Sequence, residues 1–303
     1  MTAPTLGAAT VSVRRRRHST FWSAARRVVL RKPGRIIGLG ILVFFALMGI
    51  FGPYIYPGQL AVDPENIYAA PSAAHWLGTD FAGSDVFQEV IVGARYVLLT
   101  ASLSALFTAV IGTGVGLVAG YHRGLADSVL MRATDFILTI PAFPLLIVLS
   151  TIWSFANPLE MSLVLGLTGW GGVARAVRSQ TLSLRERGFL EAARGLGLPT
   201  RHVIVKELLP NIAPYVAMQL LLSVIGFIGA EVGLFFLGVV PFSSSNWGVM
   251  LNQAVFAGGA MNSPEALGYL LAPLVCILLL TLGVVLFLDA IDELFNPRLR
   301  ERS

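Results

Sequence analysis

Charge is scarce in this chain: only 13% of its 303 residues are Asp, Glu, Lys or Arg, where a soluble domain of that size carries about 25%. That shortage excludes an ordinary solvated globule. Cysteine is nearly absent too. Cys276 stands alone inside an apolar run, so neither an intrachain disulfide nor a cysteine metal cluster can form. The only lysines are Lys32, after Arg31, and Lys206, after Val205. A phosphate-binding P-loop needs Gly-Lys followed by Ser or Thr, so the chain cannot hold a nucleotide in that way. Its four histidines, His18, His75, His122 and His202, fall in loops or at their margins, which leaves no triad or metal site at membrane depth. No catalytic or metal-ligating residue is expected.

Apolar residues, by contrast, make up 55% of the chain and come in continuous blocks. Uncharged runs extend from Ile36 to Val62, Tyr96 to Tyr121, Phe136 to Leu159, Ile212 to Ala230 and Ala266 to Leu288. Each is long enough for a span, which takes about 20 residues to cross a hydrocarbon layer of roughly 30 Å. Ser162 to Ala174 is shorter, but Arg175 and Arg178 can snorkel and extend it. The expectation is an all-α membrane protein with six transmembrane helices. Gly114, Gly116 and Ala119 superficially match a dinucleotide fingerprint but lack a preceding strand. Gly112, Gly116 and Gly120, spaced by four, read instead as a small face admitting a neighbouring helix.

The cations sort the loops. Of the 22 Lys and Arg, all but Arg95 fall before the first run, between the second and third, between the fourth and fifth, or after the sixth. Short loops rich in Lys and Arg stay cytoplasmic, so both termini are expected in the cytoplasm of a multi-pass cell (inner or plasma) membrane protein. That distribution argues for a membrane rather than nucleic acid as the partner of the net charge of +5. The first run is too long for a signal peptide, and Gly52-Pro53 ends it without a small-residue cleavage site. Ahead of it, His18 to Arg35 mixes Phe21, Trp22, Val28 and Val29 with arginines and reads as an amphipathic helix on the inner surface. The expected divisions are a basic N-terminal segment (1–35), a first span (36–56), an extracytoplasmic loop (57–95), a core of five spans (96–290) and a cytoplasmic tail (291–303).

The longest inner connection reads SLRERGFLEAARGLGLPTRHVIVKELLPN, from Ser183 to Asn211. Phe189 to Leu196 has helical propensity, Gly195 and Gly197 loosen its end, and Pro199 prevents simple continuation. A second amphipathic stretch follows, and Pro210 is expected to restart the chain in the first turn of the fifth span. Glu191-Ala192-Ala193, then Gly197-Leu198, then Leu209-Pro210-Asn211, resembles the EAA loop of binding-protein-dependent ABC importer permeases. Lys206-Glu207 stands where that family often has a histidine. Outside, HWLGTD from His75, Trp76, Leu77, Gly78, Thr79 to Asp80 is similar to the outer loop of the dipeptide/oligopeptide/nickel permeases of DppC/OppC type. Ser84 stands where that group usually has arginine. MRATDFILTIPAFPLL from Met131, GLFFLGVVPFSSSNWGVML from Gly233 and NPRLR from Asn296 look like the same group, so the resemblance runs over most of the chain.

The resemblance implies a type I (MetI-like) permease fold whose cytoplasmic coupling helix, carrying Glu191, Ala192, Ala193, Gly197 and Leu198, inserts into an ATPase. It implies a homologous DppB/OppB-type permease, two ATPase subunits and an extracytoplasmic solute-binding protein as partners. ATP and Mg belong to the ATPases, no cofactor to this chain, and the cargo is di- or oligopeptides or related small solutes. A self-powered carrier or channel is the alternative, but matched interruptions in two halves are not evident.

Charges within the runs need partners. An unpaired carboxylate at the bilayer centre costs about 3 kcal/mol, so Glu231 is expected to face the protein interior, at the subunit interface or the pathway, and more as a hydrogen-bonding link than a substrate contact. Arg132 and Asp135 are expected to pair along one helix. Asp289, Asp292 and Glu293 are expected to form a solvated inner rim.

Overall fold

The computed structural model describes residues 28–57, 61–153, 155, 157–241, 246–259 and 266–295. The part of the expected amphipathic segment before residue 28 and the NPRLR tail therefore lie outside the described residues, as do 242–245 of the GLFFLGVVPFSSSNWGVML stretch. Among the described residues the fold is helical, with one isolated bridge between Thr79 and Asp85.

Helix α1 (Pro33–Ile55) opens on a proline, whose missing amide costs nothing in a first turn. Helix α2 (Val86–His122) has 37 residues, about 55 Å of rise. It begins ten residues before Tyr96, so part of the segment expected as loop to Arg95 is helix. Asp85 sets that start by accepting hydrogen bonds from the amides of Phe87 and Gln88. Helices α3 (Gly124–Thr139) and α4 (Ala142–Ile152) follow, then α5 (Pro158–Arg185), the short α6 (Gly188–Gly195), α7 (Thr200–Phe236), α8 (Trp247–Asn252) and α9 (Leu267–Phe295).

By length and composition α1, α2, α7 and α9 can cross a membrane, and α3 with α4 makes a fifth if that bent pair is one span. This differs from the expected six in two places. The run from Phe136 is not straight: α3 and α4 meet at 81°. Ile140 is extended (φ −82°, ψ 122°) because the ring of Pro141 disfavours helical geometry in the residue before it. The expected short fourth span is a 28-residue helix, α5, but its Glu160, Arg175, Arg178 and Arg185 keep it below the apolarity of a span. Packed against its neighbours along most of its length, it has no need of a continuous apolar surface.

The α2–α5 contact is the most extensive in the fold, and small residues make it close. A Cβ at Gly112 would lie 2.7 Å from Val173 Cβ, at Gly116 2.6 Å from the Ala174 carbonyl oxygen, and at Gly120 2.7 Å from Thr181 Cβ. Gly166 on α5 reciprocates, 2.6 Å from Phe107 Cβ. Thr108 donates across the seam to the Gly166 carbonyl at 3.3 Å. Gly114, on another face, meets nothing within 4 Å. The glycines serve packing, as their spacing predicts.

Charges within the bundle pair between helices. Arg178 on α5 grips Asp127 on α3 through Nε and Nη2, at 2.5 and 2.6 Å. Asp135 accepts from Arg175 of α5 at 2.6 Å, not from Arg132, because α3 turns that carboxylate toward α5. Glu293 is not part of a solvated rim. It is 4% exposed and takes Arg35 of α1 at 2.5 Å, while Asp289 and Asp292 remain exposed. The reason is the approach of α1 and α9 at Gly38, where a Cβ would fall 2.8 Å from Leu286 Cβ.

Gly116→Ala should destabilise the purified chain by about 1–3 kcal/mol through overpacking, seen as a lower midpoint of thermal unfolding. Gly114→Ala should leave that midpoint unchanged or raise it, since alanine is the better helix former by about 1 kcal/mol.

Candidate functional site

Helix α6 has an inner and an outer face. Glu191 in its first turn and Arg194 in its last oppose the partial charges of the helix ends. Leu190 and Ala193, three residues apart and so on one face, are buried. They join Leu117 of α2, Val177 and Leu184 of α5, and Val203, Leu208 and Ile212 of α7 in one apolar cluster, with half-buried Leu198 against it. Glu191, Ala192 and Gly197 are exposed. Of the five residues the sequence singles out here, Ala193 and Leu198 anchor the helix, and the other three face outward beside Leu196, which is 79% exposed.

The end of α6 is fixed by its backbone. The Leu198 amide donates to the Ala193 carbonyl at 3.2 Å and the Gly197 amide to that of Arg194 at 2.9 Å. This double closure requires a left-handed residue, and Gly197 supplies it with φ +69°. Pro199 follows, and α7 starts at Thr200. That helix holds Pro210 in the first turn of its regular α-helical stretch, Leu209–Phe236, as expected. It runs unbroken to Phe236, with a wider turn over Val203–Leu208 in which the Leu209 amide reaches the Ile204 carbonyl. Pro210 lacks an amide for the preceding turn and its ring crowds it, and the wider turn absorbs both effects.

A link that sequence reading misses joins α6 to the foot of α2. The Arg194 guanidinium lies over the Tyr121 ring, 5.4 Å from its centroid, and Arg185 approaches the same ring at 6.0 Å. Arg185 also donates to the Tyr121 carbonyl at 2.8 Å. Tyr121 lies 64 residues from Arg185 in the chain, and nothing local marks the pairing. The only available signal is the Tyr at the cationic end of a span.

At the other end of α2 the HWLGTD residues build its cap. His75 Nδ1 lies 2.9 Å from Asp85 Oδ2, holding the capping carboxylate whose other oxygen takes the helix amides. Exposed Trp76 rests against Phe87, with ring centroids 5.0 Å apart, and Leu77 is partly exposed. Gly78 (φ +77°) brings the chain back toward Ala69, whose carbonyl oxygen a Cβ would meet at 2.5 Å. The Thr79 hydroxyl accepts from the Ala69 amide at 2.8 Å, and Asp80 Oδ1 accepts from the amides of Ala82 and Ser84 at 2.8 and 2.7 Å. Ser84 is buried, so this position faces the turn. Nearby Asp63 is held below the usual carboxylate range by the Asn66 amide and the Glu65 backbone amide.

Glu231 is fully enclosed within this chain. Its Oε1 accepts from the Asn246 side-chain amide at 2.7 Å, and Asn246 Oδ1 in turn accepts from the Gly248 amide at 2.7 Å, capping α8. Among the described residues no group of three or more His, Cys, Asp or Glu is placed to hold a metal ion.

Comparison with known proteins agrees with this architecture. Residues 112–301 match the family model described as binding-protein-dependent transport system inner membrane component, and residues 20–71 match the N-terminal TM domain of oligopeptide transport permease C. The chain is 36% identical over 250 residues to the dipeptide transport system permease protein DppC of Bacillus subtilis, covering 80% of this chain and 76% of that one. It is 33% identical over 238 residues to the oligopeptide transport system permease protein OppC of Haemophilus influenzae, covering 77% and 76%. It is also 33% identical over 278 residues to a probable peptide ABC transporter permease protein of Sinorhizobium fredii, covering 91% and 93%. A helical bundle with four or five candidate spans, matched over most of its length, belongs to the family of binding-protein-dependent transport system inner membrane components, the permease subunits of ABC transporters.

Proposed function

We propose that this chain is the membrane-spanning subunit of an ATP-driven importer of di- or oligopeptides or related small solutes. The observation that carries the reading is the seating of α6. Leu190 and Ala193 fix it to the feet of α2, α5 and α7, while Glu191, Ala192 and Leu196 face out. A short rigid helix held in this way can take force from a partner on its exposed face and pass it into three long helices. That partner is one of two ATPases, which bind and hydrolyse ATP with Mg. A homologous DppB/OppB-type permease completes the path, and a solute-binding protein delivers cargo at the far end. Both termini and α6 lie in the cytoplasm, the side on which the cations collect. The peptide cargo follows from the peptide permeases to which the chain is similar.

Force transfer depends on the outer face of α6. Glu191→Lys should weaken co-purification of the ATPases by at least about tenfold, or about 1.4 kcal/mol, or leave them bound with ATP hydrolysis uncoupled from uptake. An intact complex with normal uptake would remove α6 from the coupling role.

The stiffness of its end is a separate matter. Gly197→Ala should cost about 1–2 kcal/mol, the penalty for an L residue in left-handed geometry. Hydrogen exchange at the amides of Leu196 to Leu198 should quicken while those of α2 stay protected.

Glu231 acts as a packing link rather than a charge for cargo. Glu231→Gln should keep normal uptake, because the amide oxygen can still accept from Asn246. Glu231→Leu should cost about 1–3 kcal/mol by stranding that buried amide, measured as a lower unfolding midpoint.

A further inference from the structure

One cation lies at the end of the bundle away from α6. Arg35, Arg123, Arg175 and Arg178 each face a carboxylate. Arg95 is exposed on α2, and no acidic side chain among the described residues pairs with it. It lies 27 residues before His122, about 40 Å along the helix. The hydrocarbon layer is only about 30 Å thick, which puts Arg95 near the headgroup layer of the leaflet opposite α6.

Arg95 also borders a groove of about 540 Å³ between α1, α2, α7 and α9, walled by apolar side chains such as Leu42, Ala46, Leu98, Leu221 and Val284. Tyr54, 75% exposed, lines it on α1 beyond Gly49, whose added Cβ would lie 3.6 Å from Arg95 Cα. From Tyr54 to Leu42 the groove runs twelve residues down α1, about 18 Å, close to the roughly 15 Å of one leaflet's hydrocarbon. That length and the apolar walls suit a single hydrocarbon chain.

We infer that this groove holds one acyl chain of a phospholipid, with the Arg95 guanidinium binding its phosphate. The two parts need each other. A guanidinium matches phosphate oxygens in a bidentate manner, and no acidic side chain among the described residues competes for it. The acyl chain fills apolar space that water would leave poorly occupied. The site is independent of which solute crosses the membrane.

The test uses the delipidated full chain, with any subunits that co-purify, titrated with palmitoyl-oleoyl phosphatidylglycerol and followed by native mass spectrometry. The wild-type protein should saturate at one tightly held lipid at this site. Arg95→Gln should weaken that adduct at least tenfold. Ala46→Trp, which fills the groove from α1 and leaves Arg95 in place, should abolish it. Monooleoylglycerol, which has a chain but no phosphate, should bind no better to wild type than to Arg95→Gln. Elution of the variants at the wild-type volume establishes their fold. Equal lipid retention in all three proteins, no tight adduct in the wild type, or a partner helix seated in the groove would each overturn the assignment.

Discussion

The contact between α2 and α5 is the constraint on which the rest depends. Between helices in lipid there is no hydrophobic gain from contact, so close van der Waals packing must hold them. Gly112, Gly116, Gly120 and Gly166 permit that closeness, each leaving less than 3 Å for an added Cβ. With the two helices pressed together, their lower ends make a single floor. Leu117 and Tyr121 come from one, and Val177, Leu184 and Arg185 from the other. The floor gives α6 its seat.

The polar groups serve the same frame. Arg178 with Asp127 and Arg175 with Asp135 fasten α3 to α5, while Arg35 with Glu293 fastens the first helix to the last. Each charge is offset by a partner on another helix, as membrane depth demands. Glu231 follows the same logic without a cation, by holding Asn246 at the start of α8. Where the chain leaves the bundle, backbone amides are the concern instead. Asp85, Asp80 and Thr79 satisfy them around the cap of α2, and Gly197 closes α6. The stretches around His75 and Glu191 thus lie at opposite ends of one helix pair.

Much of this is legible from residues alone. The apolar runs locate α1, α2, α7 and α9, and the four-residue glycine spacing announces a close helix contact. The helix at Glu191 and its termination near Gly197 follow from local propensity and turn chemistry. The bend before Pro141 is a different case. The steric rule at that proline is local, yet the uncharged run gives no sign that the chain turns by 81°. The α5 helix is obscured for the opposite reason. Hydropathy measures what faces lipid, and α5 mostly faces protein.

By itself the sequence determines a membrane-spanning helical chain, the small face of α2 and the existence of a short helix at Glu191, because periodicity, apolar length and turn residues act over a few neighbouring positions. Only the tertiary structure decides that Glu293 pairs with Arg35, Asp135 with Arg175 rather than Arg132, and Arg194 with Tyr121. Those partners lie far apart in the chain. Which of them meet depends on how closely the helices approach and how they are rotated, and both are set by packing across the whole bundle.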